Sequence, residues 1–564
     1  MPQRDTPIYS LSDRFIDEMA ALDPLAATYL GVAGYDDKMT DFSPAGHDAR
    51  AAHAAQTLAG LNGLSPSDDA DRLAAGVLRN DLELTVAEHA AGEHLRGIRV
   101  IAGDLDGARS VFDLMPTDTE GDWENIAARM EAFPNALAGM RASWREGLVR
   151  GVAAPVRQAL AVAGQAEAWA GSGDDGFFSS FAATANVSNG GASDALARRL
   201  QSAARDCSAA LAETAKFLGG EYARHADPND GVGEERHAFA RRRYLGMTVE
   251  AKEAYEWGWD EVARLDVEIH RVGQEILPGA SAAEVRHLLD TDPARAVHGE
   301  DNLRNWLQEL MDEAMTFLID NNHFDIPTSI RQCEAMISPP GGAAAMYYTG
   351  PSEDLSRPGR TWYPLNGRAS VPRWGEPTTA YHEGVPGHHL QVAMAVVNAD
   401  QLSRYQRNTF VSGHGEGWAL YAERLMDEFG FFTNPDYRLG YLYGQAMRAA
   451  RVVIDIGLHC GFTIPSAWSW HPGEAWTPKL ALEFLTERSS SDAEFNRSEI
   501  DRYLGWPAQA ISYKLGERVW LDLRDDAKRR LGAKFNLRDW HAYGLNLGNL
   551  GLDLLKSEMS RYAA

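Results

Sequence analysis

The sequence predicts a mainly α-helical protein with one small β-sheet inserted beside its candidate site, and three observations carry this expectation. From Leu11 to about Glu275, apolar residues recur at i, i+3, i+4 and i+7, as in Leu73-Ala74-Ala75-Gly76-Val77-Leu78 and Leu196-Ala197-Arg198-Arg199-Leu200, which is the period of amphipathic helices. Between about Asp325 and Pro377 that period stops, and Pro, Gly, Tyr and Trp concentrate. After Thr378 helical periodicity resumes. The 564 residues are 45% hydrophobic and 24% charged, an ordinary globular composition with enough apolar material for a large core.

Polar clusters punctuate the first helical stretch at Asn62 to Asp71, Gly171 to Ser193 and Asp227 to Glu235, and each reads as a surface loop. None is long or biased enough to be an interdomain linker, and there is no internal repeat. In the β-rich stretch, Ile330 to Ile337, Ala343 to Tyr348 and Thr361 to Tyr363 read as short strands, with a turn at Arg357-Pro358-Gly359. Helices are then expected over Gly417 to Phe429, Tyr441 to Leu458, Thr477 to Thr486, Ser498 to Tyr503, Ala508 to Leu531 and Asn536 to Leu545. The chain is thus organised as a helical part (1–324), a β-rich insert (325–377) and a second helical part (378–564), all in one continuous structural unit.

A balance of 54 Lys+Arg against 80 Asp+Glu leaves a formal charge of −26. A surface of that sign repels phosphate backbones and anionic lipid, so neither nucleic acid nor a membrane surface is expected as a partner. The first residues carry no apolar leader, and no stretch approaches the roughly eighteen apolar residues of a membrane span. A cytoplasmic protein is expected, in which the Asn-x-Ser sequons at Asn186 and Asn496 are chance matches. Cys207, Cys333 and Cys460 are widely separated and make neither a disulfide framework nor a zinc knuckle. Nothing in the sequence signals an oligomeric state.

The segment His382-Glu383-Gly384-Val385-Pro386-Gly387-His388-His389 carries the metal-binding signal. A hydrolytic zinc takes three protein ligands, at about 2.0 to 2.2 Å for N and O donors, and keeps an open position. A nearby carboxylate receives the proton of the attacking water. In the H-E-x-x-H pattern the two histidines lie one helical turn apart on one face, and the Glu reaches the water. Here the fifth position is Pro386. On a straight helix His388 would sit about 120° around from His382, and His389 about 10.5 Å along the axis, so neither could share an ion with it. Pro386 resolves the conflict, because it cannot donate to the carbonyl of residue 382 and its ring clashes there. The helix must break or bulge between the histidines, and Gly387 permits the unusual dihedrals this requires. A two-residue insertion returns His388 to the place of the usual second histidine, which makes it the preferred second ligand. His389 is the alternative, or else stands behind the ligands.

The third ligand is expected from a following helix. His414-Gly415-Glu416-Gly417-Trp418-Ala419-Leu420-Tyr421-Ala422-Glu423 offers Glu416. Glu423, two turns along the same face, suits a carboxylate that holds a histidine tautomer. His414 is a further ligand candidate.

At these residues the sequence resembles the bacterial DUF885 family, a group similar to the gluzincin zinc metallopeptidases. The likeness rests on Tyr347-Tyr348, Ser356-Arg357-Pro358-Gly359, Tyr381-His382-Glu383 through Pro386-Gly387-His388-His389-Leu390-Gln391, Glu416 through Glu423, Arg448 to His459, Arg502-Tyr503, Pro507-Ala508-Gln509-Ala510 and Tyr513-Lys514. The family usually has Pro-Gly-Gln-Ala where this chain has Ala508. The resemblance implies a large helical, zincin-like body with a deep channel, in the style of the carboxypeptidase and oligopeptidase branch. It also implies zinc ligation by His382, His388 and Glu416, with Glu383 as general base.

Such chemistry needs a donor for the developing oxyanion. Tyr513 and Tyr503 are candidates, because a phenol can hydrogen-bond an alkoxide. Arg448, Arg451, Arg502 and Lys514 fall in the same C-terminal segments, and an arginine fork matches a carboxylate. With Arg357 and Tyr348 they form the candidate substrate-binding set. If two of them line a channel, the substrate carries a free C-terminal carboxylate; ion pairs with Asp455, Glu499 or Asp501 are the alternative. The expected function is a zinc-dependent hydrolase of short peptides. A hydrolase of non-peptide amides or esters, or a non-catalytic ligand-binding protein of the same fold, are the other readings, and Mn or Co could occupy the same donors.

Overall fold

The computed structural model, 68% helical, describes residues 4–172, 175–185, 192–338, 346–365 and 367–563. Two compact units make up the chain: residues 5–232 with 501–506, and residues 233–500 with 507–564. One boundary falls at Val232/Gly233, and helices of residues 234–320 pack with the C-terminal helices. Of the sequence expectations, Asn186 and residues 343–345 lie outside the described residues.

In the first of these units, the helices Glu120–Arg150, Val156–Ala170 and Asp194–Lys216 enclose a core that includes Trp123, Phe133, Trp144 and Leu211. The polar stretch expected to be a loop from Gly171 to Ser193 contains a helix, Phe177–Ala183. Its Phe178 ring packs 5.1 Å from Phe112 and 4.8 Å from Phe133. Burial of that aromatic face outweighs the polar residues on either side.

The other unit carries the candidate site. The helix Ala251–Ile276 lies along Pro435–Cys460, and Ser412–Glu428 lies along Ser512–Leu531. The second pair touches through Gly417 and Gly516: a Cβ on Gly417 would fall 2.5 Å from the Gly516 Cα. This close approach brings the Glu416 backbone deep into the unit.

Five short strands lie in the chain between Ala251–Ile276 and the other three of these helices. β1 (Ala296–His298) pairs antiparallel with β5 (Ser370–Pro372). β2 (Cys333–Ile337), β3 (Tyr347–Thr349) and β4 (Gly359–Tyr363) form a sheet of order β2-β4-β3, with β4 parallel to β2 and antiparallel to β3. Gly359, Thr361 and Tyr363 on β4 are buried and alternate with partly exposed Arg360 and Trp362, the two-residue period of a sheet with one covered face. The outer edge of β2 is occupied by Gln308, whose amide accepts from Ala335 N–H at 2.8 Å and donates to the Cys333 carbonyl at 2.8 Å. A side chain thereby satisfies edge groups that would otherwise invite another strand. The expected β-rich insert is present, extended by β5 and by β1 outside it.

Candidate metal centre

The helix Glu376–Glu383 stops at Gly384, and a second helix, His388–Val397, begins four residues later. The expected break between the histidines is a complete change of helix, and the Val385–Pro386 peptide within it is cis. Gly387 N–H donates to the Tyr381 carbonyl at 3.0 Å, and His389 N–H to the Gly384 carbonyl at 3.1 Å. Gly387 serves the turn in two ways. Its φ of −67° and ψ of −126° lie outside the α and β regions, the unusual dihedrals that the sequence led one to expect, and a Cβ there would lie 1.9 Å from the His382 carbonyl oxygen. The chain can fold back on the first histidine only without a side chain at 387. Trp418 ties the turn down: its indole Nε1 lies 3.0 Å from both the Pro386 and the Gly387 carbonyl oxygens.

This turn brings both imidazoles to the carboxylate of Glu416. His382 Nε2 lies 3.3 Å, and His388 Nε2 3.5 Å, from Glu416 Oε2. All three ligand atoms fall within 4.8 Å of one another, and among the described residues this is the one such group of three. Donors held at 2.0 to 2.2 Å around a tetrahedral centre are about 3.4 Å apart, so the spacing and the two-imidazole, one-carboxylate chemistry fit a zinc ion. Burial disfavours charge on Glu416, yet hydrogen bonds from His382 and His388 outweigh it and hold the carboxyl well below its usual range.

Glu423, one helical face along from Glu416, accepts the His382 Nδ1–H at 2.8 Å. Its other oxygen accepts from Thr378 Oγ1 at 2.5 Å, and Arg448 Nη2 lies 3.5 Å from the oxygen that holds His382. Burial opposes protonation of His382, but its bonds to Glu416 and Glu423 prevail and raise it to about 9. Glu383, next to the first histidine, is raised by burial against the opposing pull of His382 and His388. Tyr513 stacks its ring 6.4 Å from that of His382 at 18°, with the Arg451 guanidinium 4.8 Å and the Arg448 guanidinium 5.9 Å from its centroid.

The remaining candidates are placed elsewhere. His389 donates Nε2–H to the Ile330 carbonyl at 2.7 Å, and its Nδ1 accepts from Tyr348 OH at 2.9 Å. Burial lowers it to about 4. Both nitrogens are spent as a strut between the sheet and the ligand helix, and Tyr348 serves that strut. His414 is buried, with Nδ1 3.0 Å from the Gln391 amide. Lys514 is 1% exposed and pairs with Glu517 at 2.5 Å, Glu261 at 3.0 Å and the Gln445 amide oxygen at 2.5 Å. Those bonds leave it no side for a substrate. Arg451 is paired with Glu499 at 2.7 Å, and Arg357 donates to the Gly350 and Pro358 carbonyls of its own turn. Arg502 and Tyr503 belong to the unit of residues 5–232, where the guanidinium lies 5.5 Å from the centroid of the buried ring. Sequence reasoning missed Thr378 and the tether made by Trp418. Thr378 had a signal, since it lies four residues before His382 and shares its helix face.

A family model described as a bacterial protein of unknown function, DUF885, matches residues 24–559. The chain belongs to the DUF885 family. No curated protein matches it. Among solved structures, it is similar to a proposed lipoprotein from Colwellia psychrerythraea, with a TM-score of 0.84 and 22% identity over 98% of each chain. It is also similar to a proposed lipoprotein of unknown function from Shewanella oneidensis, with a TM-score of 0.74 and 19% identity over 99% of this chain and 100% of that one. At these identities the likeness shows a shared fold. Among the described residues no helix is long and apolar enough to cross a membrane.

Proposed function

We propose that this DUF885 protein is a zinc-dependent hydrolase that cleaves the amide bond of short peptides. The observation that carries this reading is the convergence of His382 Nε2 and His388 Nε2 on Glu416 Oε2, at 3.3 Å and 3.5 Å, beside a carboxyl group, Glu383, that burial raises. His382, His388 and Glu416 would hold the ion. Bound zinc supplies a Lewis acid for the scissile carbonyl and makes its water a nucleophile near neutral pH. Glu383 takes a proton from the attacking water and passes it to the leaving nitrogen, a role suited to a carboxyl raised toward neutrality. Tyr513 offers its phenol to the carbonyl oxygen as charge develops there. Glu423, Thr378 and Arg448 keep the His382 Nε2 facing the place between His388 and Glu416 where the ion would be held. Short peptides are the substrate class that the gluzincin resemblance implies.

Metal analysis of protein purified without chelators is expected to give about one zinc per chain. Glu383→Gln is expected to keep the metal and to lose at least about 100-fold of the turnover on a peptide library. Metal-free wild-type protein, or a variant as active as the wild type, would sink the reading.

A further inference from the structure

Phe410 is 55% exposed, yet its ring centroid lies 6.4 Å from that of His388, with the planes at 60°. It precedes the helix Ser412–Glu428 that supplies Glu416. A lone exposed phenylalanine needs no explanation, but this one is held in place. Val411 N–H donates to Asn549 Oδ1 at 3.1 Å, and Gly415 lies against the ring. A Cβ at 415 would come 2.4 Å from Phe410 Cε2 and 2.5 Å from Cζ. Any side chain there would displace the ring from its place beside His388. The backbone therefore keeps an apolar face open to solvent next to an imidazole of the metal centre. Water gains little from such a face, whereas an apolar group of a bound ligand gains by covering it. Two of the cations expected to anchor a substrate carboxylate, Arg451 and Lys514, are already paired with protein carboxylates, so charge at those positions does not select the ligand.

We propose that Phe410 is a specificity-determining residue that forms an apolar subsite beside the metal centre and favours substrates with an aromatic or large aliphatic group next to the bond that is cut. The proposal rests on the zinc-hydrolase reading. Its test uses the full-length, zinc-loaded protein and two probes, acetohydroxamate and 3-phenylpropionohydroxamate, which share a chelating head and differ by a benzyl group. Isothermal titration is expected to show wild-type protein binding the benzyl-bearing probe about tenfold more tightly. In Phe410→Ala the two affinities should become nearly equal, with zinc content and acetohydroxamate affinity unchanged, and Phe410→Leu should be intermediate. Nearly equal affinities in the wild type, an unchanged preference in Phe410→Ala, or equal loss of both probes in that variant each overturns the subsite. Wild-type protein that takes up no zinc, or that fails to bind acetohydroxamate, overturns the zinc-hydrolase reading itself and the subsite with it.

Discussion

Glu423 accepts the Nδ1–H of His382 at 2.8 Å, and that bond decides which imidazole nitrogen faces Glu416. The carboxylate is itself held by Thr378 at 2.5 Å and by Arg448 at 3.5 Å, so the ring is oriented before any ion arrives. Partners of this kind typically contribute about 10- to 100-fold to metal affinity. Glu423→Ala is therefore expected to weaken zinc binding by that factor in a chelator competition, while saturating zinc still fills one site per chain. An affinity equal to wild type would mean that the bond does not orient the ligand.

Gly387 provides a sharper test of the turn between the histidines. Gly387→Ala places a methyl group 1.9 Å from the His382 carbonyl oxygen, and backbone atoms on both sides leave nothing flexible to give way. A loss of about 3 kcal/mol of unfolding free energy is expected from such overpacking, with zinc affinity at least about tenfold weaker as His388 is displaced. Urea denaturation and metal titration of the variant measure both. A fully stable Gly387→Ala protein with normal zinc affinity would show that the turn does not close as described.

The break at Pro386 was legible in the sequence, because a proline's missing N–H and bulky ring act on its own helix whatever surrounds it. The need for Gly387 was legible only in part. Its unusual dihedrals follow from the break itself, but the steric constraint is a carbonyl five residues away brought close by the reversal of the chain. The pairing of Arg451 with Glu499 was among the alternatives that the sequence offered, whereas the fate of Lys514 was less legible still. Lys514 sits in a segment that the resemblance marks, but whether such a long cation meets a substrate or a glutamate depends on which helices pack against its own. Glu261, which pairs with Lys514, is distant in sequence. The helix Phe177–Ala183 was missed for a related reason, since its stability comes from Phe112 and Phe133 and not from its neighbours in the chain.

Ala508 holds a backbone conformation that bears a cost. It adopts φ 62°, a region that glycine enters freely and alanine enters at a penalty of roughly 1 to 2 kcal/mol. The conformation is imposed by Asp455, both of whose oxygens accept the Ala508 N–H, at 3.2 Å and 3.1 Å. Ala508→Gly is expected to stabilise the protein by about 1 kcal/mol, less than the full penalty because glycine also loosens the unfolded chain. Equilibrium unfolding in urea measures it. A variant less stable than wild type would show that the buried methyl group contributes more by packing than the backbone loses.

His94 links the other two members of a histidine row in the unit of residues 5–232. Its ring centroid lies 5.0 Å from that of His47 and 4.3 Å from that of His89, with the latter planes 10° apart. Arg50 Nη2 donates to His47 Nδ1 at 3.0 Å, a bond that a protonated ring could not accept. Burial lowers His47 to about 3, reinforced by Arg50, and lowers His94 to about 4, reinforced by His89 and Arg150. In the unfolded chain both rings protonate near pH 6.5. Between that pH and about 4 the unfolded state therefore binds more protons than the folded state. Stability rises with pH across this window and is lost on acidification. Replacing both rings, His47→Gln with His94→Gln, removes the linkage. Measured by urea unfolding, the double variant's stability relative to wild type is expected to improve by about 1 to 2 kcal/mol between pH 7 and pH 5, a value discounted for the solvent access of both rings. A difference that stays constant between the two pH values would show that His47 and His94 titrate in the folded protein as they do in the unfolded one.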